Sequence, residues 1–251
     1  MPDNYTLAQI SDCHLFADKE SLHHGANVYQ NLCRVLKHIK AENVADAIVF
    51  TGDLTQDHSE QSYQNFVQAF TDCDITTPVY FTSGNHDDPQ VLAHYLDTMP
   101  FCFETHIELA HWQILLIESK SDTPSGYITN NELNKIEQLV SDKKAQLLFM
   151  HHHPIDVGYF IDRHGLVNKS ALYQVLSQYP SIASIACGHV HQALSMTLTL
   201  TTNEVQVLTC PATSIQFDPT SATVSANGQP AGYRTITLKD DQTLHSQVVF
   251  I

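Results

Sequence analysis

Residues 182–191 read Ile182-Ala183-Ser184-Ile185-Ala186-Cys187-Gly188-His189-Val190-His191, a short apolar run that stops at a glycine and is followed by two histidines. A run of this length with polar boundaries suits a strand buried on both faces. Imidazoles at i and i+2 project to the same general side of the chain and can meet adjacent metal ions. The pattern recurs four more times. Asp12-Cys13-His14 follows Tyr5–Ile10, and Gly52-Asp53 follows Ala47–Phe50. Gly84-Asn85-His86-Asp87 follows Val79–Phe81, and His151-His152-His153-Pro154 follows Gln146–Met150. Hard oxygen ligands, imidazoles and one amide together make a donor kit for two divalent metals sharing a carboxylate.

Outward from these clusters the texture is α/β. A sixth strand is expected at Trp112–Ile117. Helical spacing places Val28, Leu32, Val35, Leu36 and Ile39 on one face, and Tyr63, Phe66, Val67 and Phe70 on another. Thr129 followed by Glu132 resembles a capping box opening a helix through Leu139 and Val140, and Ser170–Leu176 is a further helix. Beyond His191, the Thr- and Val-rich segments Ala193–Leu200, Val205–Thr209, Tyr233–Leu238 and Gln247–Ile251 predict an antiparallel run of strands. The stretch from Pro211 to Gly232 reads as a surface loop. With no repeat or linker, residues 1–251 are expected to form a single domain.

Composition narrows the partners. A net charge of −15 and only three arginines (Arg34, Arg163, Arg234) argue against nucleic acid or an anionic membrane. An anionic substrate would therefore need metal ions to neutralise it. No apolar stretch approaches the roughly 18–20 residues of a membrane span. Met1-Pro2-Asp3-Asn4 lacks the basic-then-apolar pattern of a secretory leader, so a cytoplasmic location is expected. The six cysteines, without C-x-x-C spacing, read as reduced thiols.

Each cluster alone has a plainer reading as a polar turn after a strand. In an extended chain Asp12 and His14 would face one metal while Cys13 faces away. Cys13 is the poorer ligand among so many oxygens. Gly52 permits a close turn, and the two oxygens of Asp53 can bridge two cations. Asn85 offers a neutral oxygen. His86 beside it suits a proton donor, with Asp87 placed to orient its imidazole and raise its pKa. Of the three consecutive histidines, His151 is nearest the strand and is the expected ligand, with His152 and His153 supporting or exposed.

The five clusters in this order resemble the calcineurin-like metallophosphoesterase family: D-x-H, G-D, G-N-H-D/E, H and G-H-x-H. The resemblance covers most of the chain. It implies a four-layer αββα sandwich of two mixed sheets flanked by helices, with two divalent metals at strand C-terminal ends. By that resemblance Asp12, His14 and His191 hold one metal, Asn85, His151 and His189 the other, and Asp53 bridges. His86 would be catalytic, supporting the phosphoryl transition state or the leaving alkoxide. His14, Asp53, Asn85, His86 and His191 would also meet the substrate. The flanks Ser11–Phe16, Ile161–Leu166, Pro211–Phe217 and Gly232-Tyr233-Arg234 look like bacterial class III 3′,5′-cyclic-AMP phosphodiesterases. Hydrolysis of this small-molecule cyclic nucleotide to 5′-AMP, by attack of a hydroxide shared between the metals, is thus the implied activity. Tyr159, Phe160 and Phe217 are candidates to stack on the base. The donor set suits iron, manganese, cobalt or zinc, with iron and manganese favoured. The alternatives are a phosphodiesterase for other small diesters, such as glycerophosphodiesters or nucleotide pyrophosphates, and a non-catalytic scaffold. The sequence is silent on oligomeric state.

Overall fold

The computed structural model describes residues 4–251, so Met1-Pro2-Asp3, most of the segment read for a leader, lie outside the described residues. Along the chain run β1 (Asn4–Ile10), the short arms β2 (Leu22–His23) and β3 (Ala26–Asn27), α1 (Val28–Glu42), β4 (Ala47–Phe50), α2 (Glu60–Asp72) and β5 (Val79–Phe81). Then come α3 (Pro89–Tyr95), β6 (Phe101–Cys102), β7 (His106–Glu108), β8 (Trp112–Leu116), α4 (Asn130–Leu139) and β9 (Ala145–Met150). A 3₁₀ turn at Phe160–His164 precedes α5 (Lys169–Gln178). It is followed by β10 (Ile182–Cys187), β11 (Ser195–Thr199), β12 (Glu204–Thr209), β13 (Gly232–Lys239) and β14 (Leu244–Phe250).

Two six-stranded mixed sheets form, in the orders β14-β13-β1-β4-β5-β6 and β11-β12-β10-β9-β8-β7. Their central strands are parallel, as the unbroken burial of Ala47–Phe50 and Ala145–Met150 requires. Three apolar clusters separate four layers. Leu32, Leu36, Phe66 and Phe70 of α1 and α2 meet Ile48 and Phe50 on the first sheet. Ile136, Leu172 and Leu176 of α4 and α5 meet Leu148 and Ile185 on the second. Leu7, Val49, Ile114, Leu147 and Phe149 fill the space between the sheets. Each fully buried large side chain contributes about 1.5–3 kcal/mol of transfer free energy. Thr129 caps α4 through Oγ1, but the Glu132 carboxylate goes to the Glu118 amide. Among the described residues no helix is long and apolar enough to cross a membrane, and all six cysteines are free thiols.

Two expectations need correction. The strands after His191 are not one antiparallel run: β11 and β12 extend the second sheet and β13 and β14 the first. Pairing partners are chosen by long-range packing that local Thr/Val content does not encode. Nor is all of Pro211–Gly232 a surface loop: residues 218–230 are exposed or half-buried as expected, but Pro211–Phe217 is not. It is buried, and its amides at Thr213 and Ser214 donate to the carbonyls of Ser11 and Asp12 at 3.0 and 3.2 Å.

Arg234 on β13 ties the sheets together. Its guanidinium, 2% exposed, donates to Thr209 O (3.0 Å), Leu194 O (2.9 Å) and Ser246 Oγ (2.6 Å). Arg234→Met keeps the aliphatic stem but strands the buried Thr209 carbonyl, takes one of two donors from Leu194 O and frees Ser246 Oγ. It should lower unfolding free energy by about 2–4 kcal/mol. Urea titration checks this: a falling midpoint at unchanged slope is expected, and an unchanged midpoint refutes the tie.

Candidate metal centre

All five clusters follow the C-terminal ends of parallel strands, so the two sheets deliver them to one edge of the sandwich. The local geometry is not the strand alternation expected from sequence. Asp12, His14, Asp53, His189 and His191 all adopt left-handed φ, between 47 and 65°. That conformation costs a non-glycine residue about 1–2 kcal/mol, and surrounding bonds enforce it. The amides of Asp12 and His14 donate to Gly52 O (2.9 Å) and Asp53 O (3.1 Å). The His189 amide donates to the Asp12 carboxylate at 3.1 Å. Cys13, turned away, is buried in the core, and burial raises its thiol pKa far above the usual range.

Two donor sets converge. In the first, His191 Nε2 lies 3.3 Å from Asp12 Oδ1 and 3.2 Å from His14 Nε2. In the second, His151 Nε2 lies 3.1 Å from Asn85 Oδ1 and 3.2 Å from His189 Nδ1. Asp53 Oδ2 sits between them, 3.6 Å from His14 Nε2 and 3.4 Å from His151 Nε2. The expected two-oxygen bridge is not what the carboxylate offers. Oδ1 accepts the His86 amide at 2.8 Å, leaving Oδ2 alone to face both sets.

The donors fit cations. His151 Nδ1–H donates to Thr51 O (2.7 Å) and His191 Nδ1–H to Ile215 O (2.8 Å), which turns a lone pair on each Nε2 into the cluster. Without a cation there, His151 Nε2 takes a proton in its place and shares it with the Asp53 carboxylate. Ligand bonds of about 2.0–2.2 Å put neighbouring donors roughly 3.0–3.5 Å apart, the spacing found here. Burial holds His14 and His189 neutral, well below the usual imidazole range, as metal ligation requires. At His151 burial also opposes charge, yet Asp53 and Asp12 outweigh it and push its pKa up to about 9. This pocket attracts positive charge.

Neither remaining histidine of the run is exposed. His152 Nδ1 pairs with Ser119 Oγ (2.9 Å) and Nε2 with Pro124 O (3.2 Å), so both its nitrogens are engaged. His153 stacks on His189 and pairs with Asp162 (3.2 Å). Asp87 does not orient His86. Its Oδ1 accepts the amides of Leu54 (2.8 Å) and Thr55 (3.3 Å), and its Oδ2 that of Gly84 (2.8 Å). The His86 pKa is lowered, by burial, rather than raised.

A cavity of about 400 Å³ opens over the cluster. Of the three aromatics expected to stack on a base, Phe217 lines the cavity while lying face to face on His191 (3.8 Å, 4° between planes), and Tyr159, whose OH donates to Val190 O, is not in the lining. Phe160 lines the cavity, with Arg163 and His164 beside it. Sequence reasoning missed the carbonyls of Thr51 and Ile215, because a backbone acceptor carries no residue-type signal, and the hydroxyl of Ser119, which only the fold brings to His152.

Comparison with known proteins follows this geometry. The sequence profile of the calcineurin-like phosphoesterase family matches residues 5–193. The chain is 51% identical over 249 residues to a probable cyclic nucleotide phosphodiesterase of Colwellia psychrerythraea, spanning 98% of this chain and 95% of that protein. It is 32% identical over 248 residues to the 3′,5′-cyclic adenosine monophosphate phosphodiesterase CpdA of Escherichia coli, spanning 96% and 88%. Among solved structures, a dimetal phosphatase from Danio rerio superposes with a TM-score of 0.66 at 12% identity, over 98% of each chain. At that identity the likeness speaks for the fold.

Proposed function

Because the chain belongs to the calcineurin-like phosphoesterase family, we propose that it is a metal-dependent phosphodiesterase hydrolysing 3′,5′-cyclic AMP to 5′-AMP. The carrying observation is the convergence of two donor sets on one carboxylate oxygen, Asp53 Oδ2. Asp12, His14 and His191 would hold one divalent ion and Asn85, His151 and His189 the other, with Asp53 facing both sets. Two such ions supply Lewis-acid polarisation of the phosphoryl oxygens and lower the pKa of bound water. Iron or manganese is the reading the mixed Asp, Asn and His donors support best.

The chain's own residues do the rest. Thr51 O and Ile215 O hold His151 and His191 in the tautomer that binds. His86, held by its amide on Asp53 and beside His14 (ring centroids 4.8 Å apart), supports the departing 3′-oxygen. Phe160 offers an apolar wall to the nucleoside. The same reading takes residues 1–251 as one cytoplasmic domain acting on a small molecule.

The test is hydrolysis of cyclic AMP by protein loaded with Mn²⁺ or Fe²⁺, beside bis(p-nitrophenyl) phosphate. Turnover of both esters is expected. It should vanish on chelation, return with metal, and fall at least about 100-fold in Asn85→Ala. Cleavage of the artificial ester alone would overturn the cyclic-nucleotide assignment and keep the metal chemistry.

A further inference from the structure

Nothing within the Gly84-Asn85-His86-Asp87 loop holds the His86 ring. Among the described residues its Nδ1 is buried without a hydrogen-bond partner, and Asp87 is committed to backbone amides. The ring instead has two aromatic neighbours. His14 meets it edge-on, and His58, 28 residues earlier in the chain, stacks on it with centroids 5.6 Å apart and planes 10° from parallel. His58 Nδ1 also meets the His86 carbonyl at 2.9 Å. A carbonyl only accepts, so this nitrogen carries the proton and donates it.

His58 is itself firmly placed. It takes left-handed φ (57°), and its amide donates to Thr55 Oγ1 at 2.9 Å. Thr55 is buried and shares that hydroxyl with Ser62 Oγ of α2 at 2.7 Å. The His86 backbone is therefore clamped from both ends, its N–H on Asp53 Oδ1 and its C=O under His58. The stacked imidazole adds a contact to the ring itself.

We propose that His58 is a positioning residue for His86, doing from the loop before α2 what the adjacent Asp87 does not. The proposal rests on the reading of His86 as the group that supports the leaving oxygen. A misaligned His86 should harm diesters with poor leaving groups most, because a nitrophenolate departs with little help.

The experiment compares wild type, His58→Ala, His58→Gln, His86→Ala and the double alanine variant. Substrates are cyclic AMP, diphenyl phosphate and bis(p-nitrophenyl) phosphate, with metal content and thermal midpoint measured on each protein. His58→Ala is expected to lower kcat on cyclic AMP and diphenyl phosphate by about ten- to hundredfold with KM little changed. The nitrophenyl ester should be far less affected. Gln, which can still donate to the His86 carbonyl, should recover most of the loss. In the His86→Ala background the second substitution should add nothing. Equal losses on all three esters, wild-type rates in His58→Ala, or additive losses in the double variant each overturn the proposal. A wild-type protein inert toward cyclic AMP but active on both aryl diesters overturns the cyclic-nucleotide reading alone; the diphenyl phosphate arm still decides on His58.

Discussion

Asp53→Asn is expected to reduce phosphodiester turnover by a factor on the order of 10³ or more and to halve the bound metal at least. The reason lies in which atom changes. Asn can keep an oxygen on the His86 amide, so the loop should stay in place. The atom replacing Oδ2 then becomes an NH₂ donor. It points at His14 Nε2 and His151 Nε2, which the wild-type carboxylate faces at 3.6 and 3.4 Å. Lone pairs meant for cations would be satisfied by those N–H groups instead. The carboxylate that outweighs burial at His151 is also lost, so that imidazole should titrate lower. Stability should fall too. Burial opposes the Asp53 charge, but His151, its pKa raised to about 9, outweighs it and holds the carboxylate well below the usual range, so metal-free Asp53→Asn should unfold earlier than metal-free wild type at neutral pH. Elemental analysis, turnover and thermal unfolding of both apoproteins test this together. Full metal content with turnover within tenfold of wild type would remove Asp53 from its shared position.

Gly84→Ala is the second large effect, and it acts through backbone rather than chemistry. A Cβ on Gly84 would lie 2.2 Å from Asp53 Oδ1 and 2.3 Å from Asp53 N. Across the same contact, a Cβ on Gly52 would lie 2.4 Å from Gly84 N. The two loops touch backbone to backbone, which is why each begins with glycine; neither chain can yield without moving the site. Alanine must push Asn85 and His86 away from Asp53, breaking the 2.8 Å bond from the His86 amide. Overpacking of this kind costs about 1–3 kcal/mol or more, and turnover should fall by a further factor on the order of 10² or above, because the groups it displaces are the reacting ones. Gly228→Ala is the control. Its Cβ would meet nothing within 4 Å although φ is +84°, so it should be mildly destabilising and fully active. Wild-type turnover in Gly84→Ala would show that the loops are not in contact.

Legibility in the sequence followed the range of each interaction. Ala47–Phe50 could be assigned as a buried strand because burial on both faces leaves a continuous apolar run. Helix α1 could be read because its buried positions repeat at helical spacing. The allocation of β11 to β14 between two sheets could not, since alternating Thr and Val suit any half-buried strand and the choice is made by residues far along the chain. The burial of Pro211–Phe217 was hidden for the same reason: the start of a Pro/Ser/Gly-rich stretch is buried because the Ser11 and Asp12 carbonyls await its amides.

At the metal centre the division is sharper. Residue types and their order were sufficient to point to a dinuclear donor set, because few other chemistries call for Asp, Asn and His after five of six expected strands. What the sequence could not carry is direction. Left-handed φ at Asp12, His14, His189 and His191 replaces strand alternation, and only long-range hydrogen bonds impose it. Engagement by Ser119 and Pro124 separates His152 from its neighbour His151, whose Nε2 faces Asn85 and Asp53. Asp87 is adjacent to His86 in sequence yet spends its oxygens on backbone, while His58, distant in sequence, covers the ring. The order and spacing of the clusters thus determined which residues this protein gathers at one site. The tertiary structure alone decided which way each lone pair and N–H points, because those directions are set by partners the chain meets only once folded.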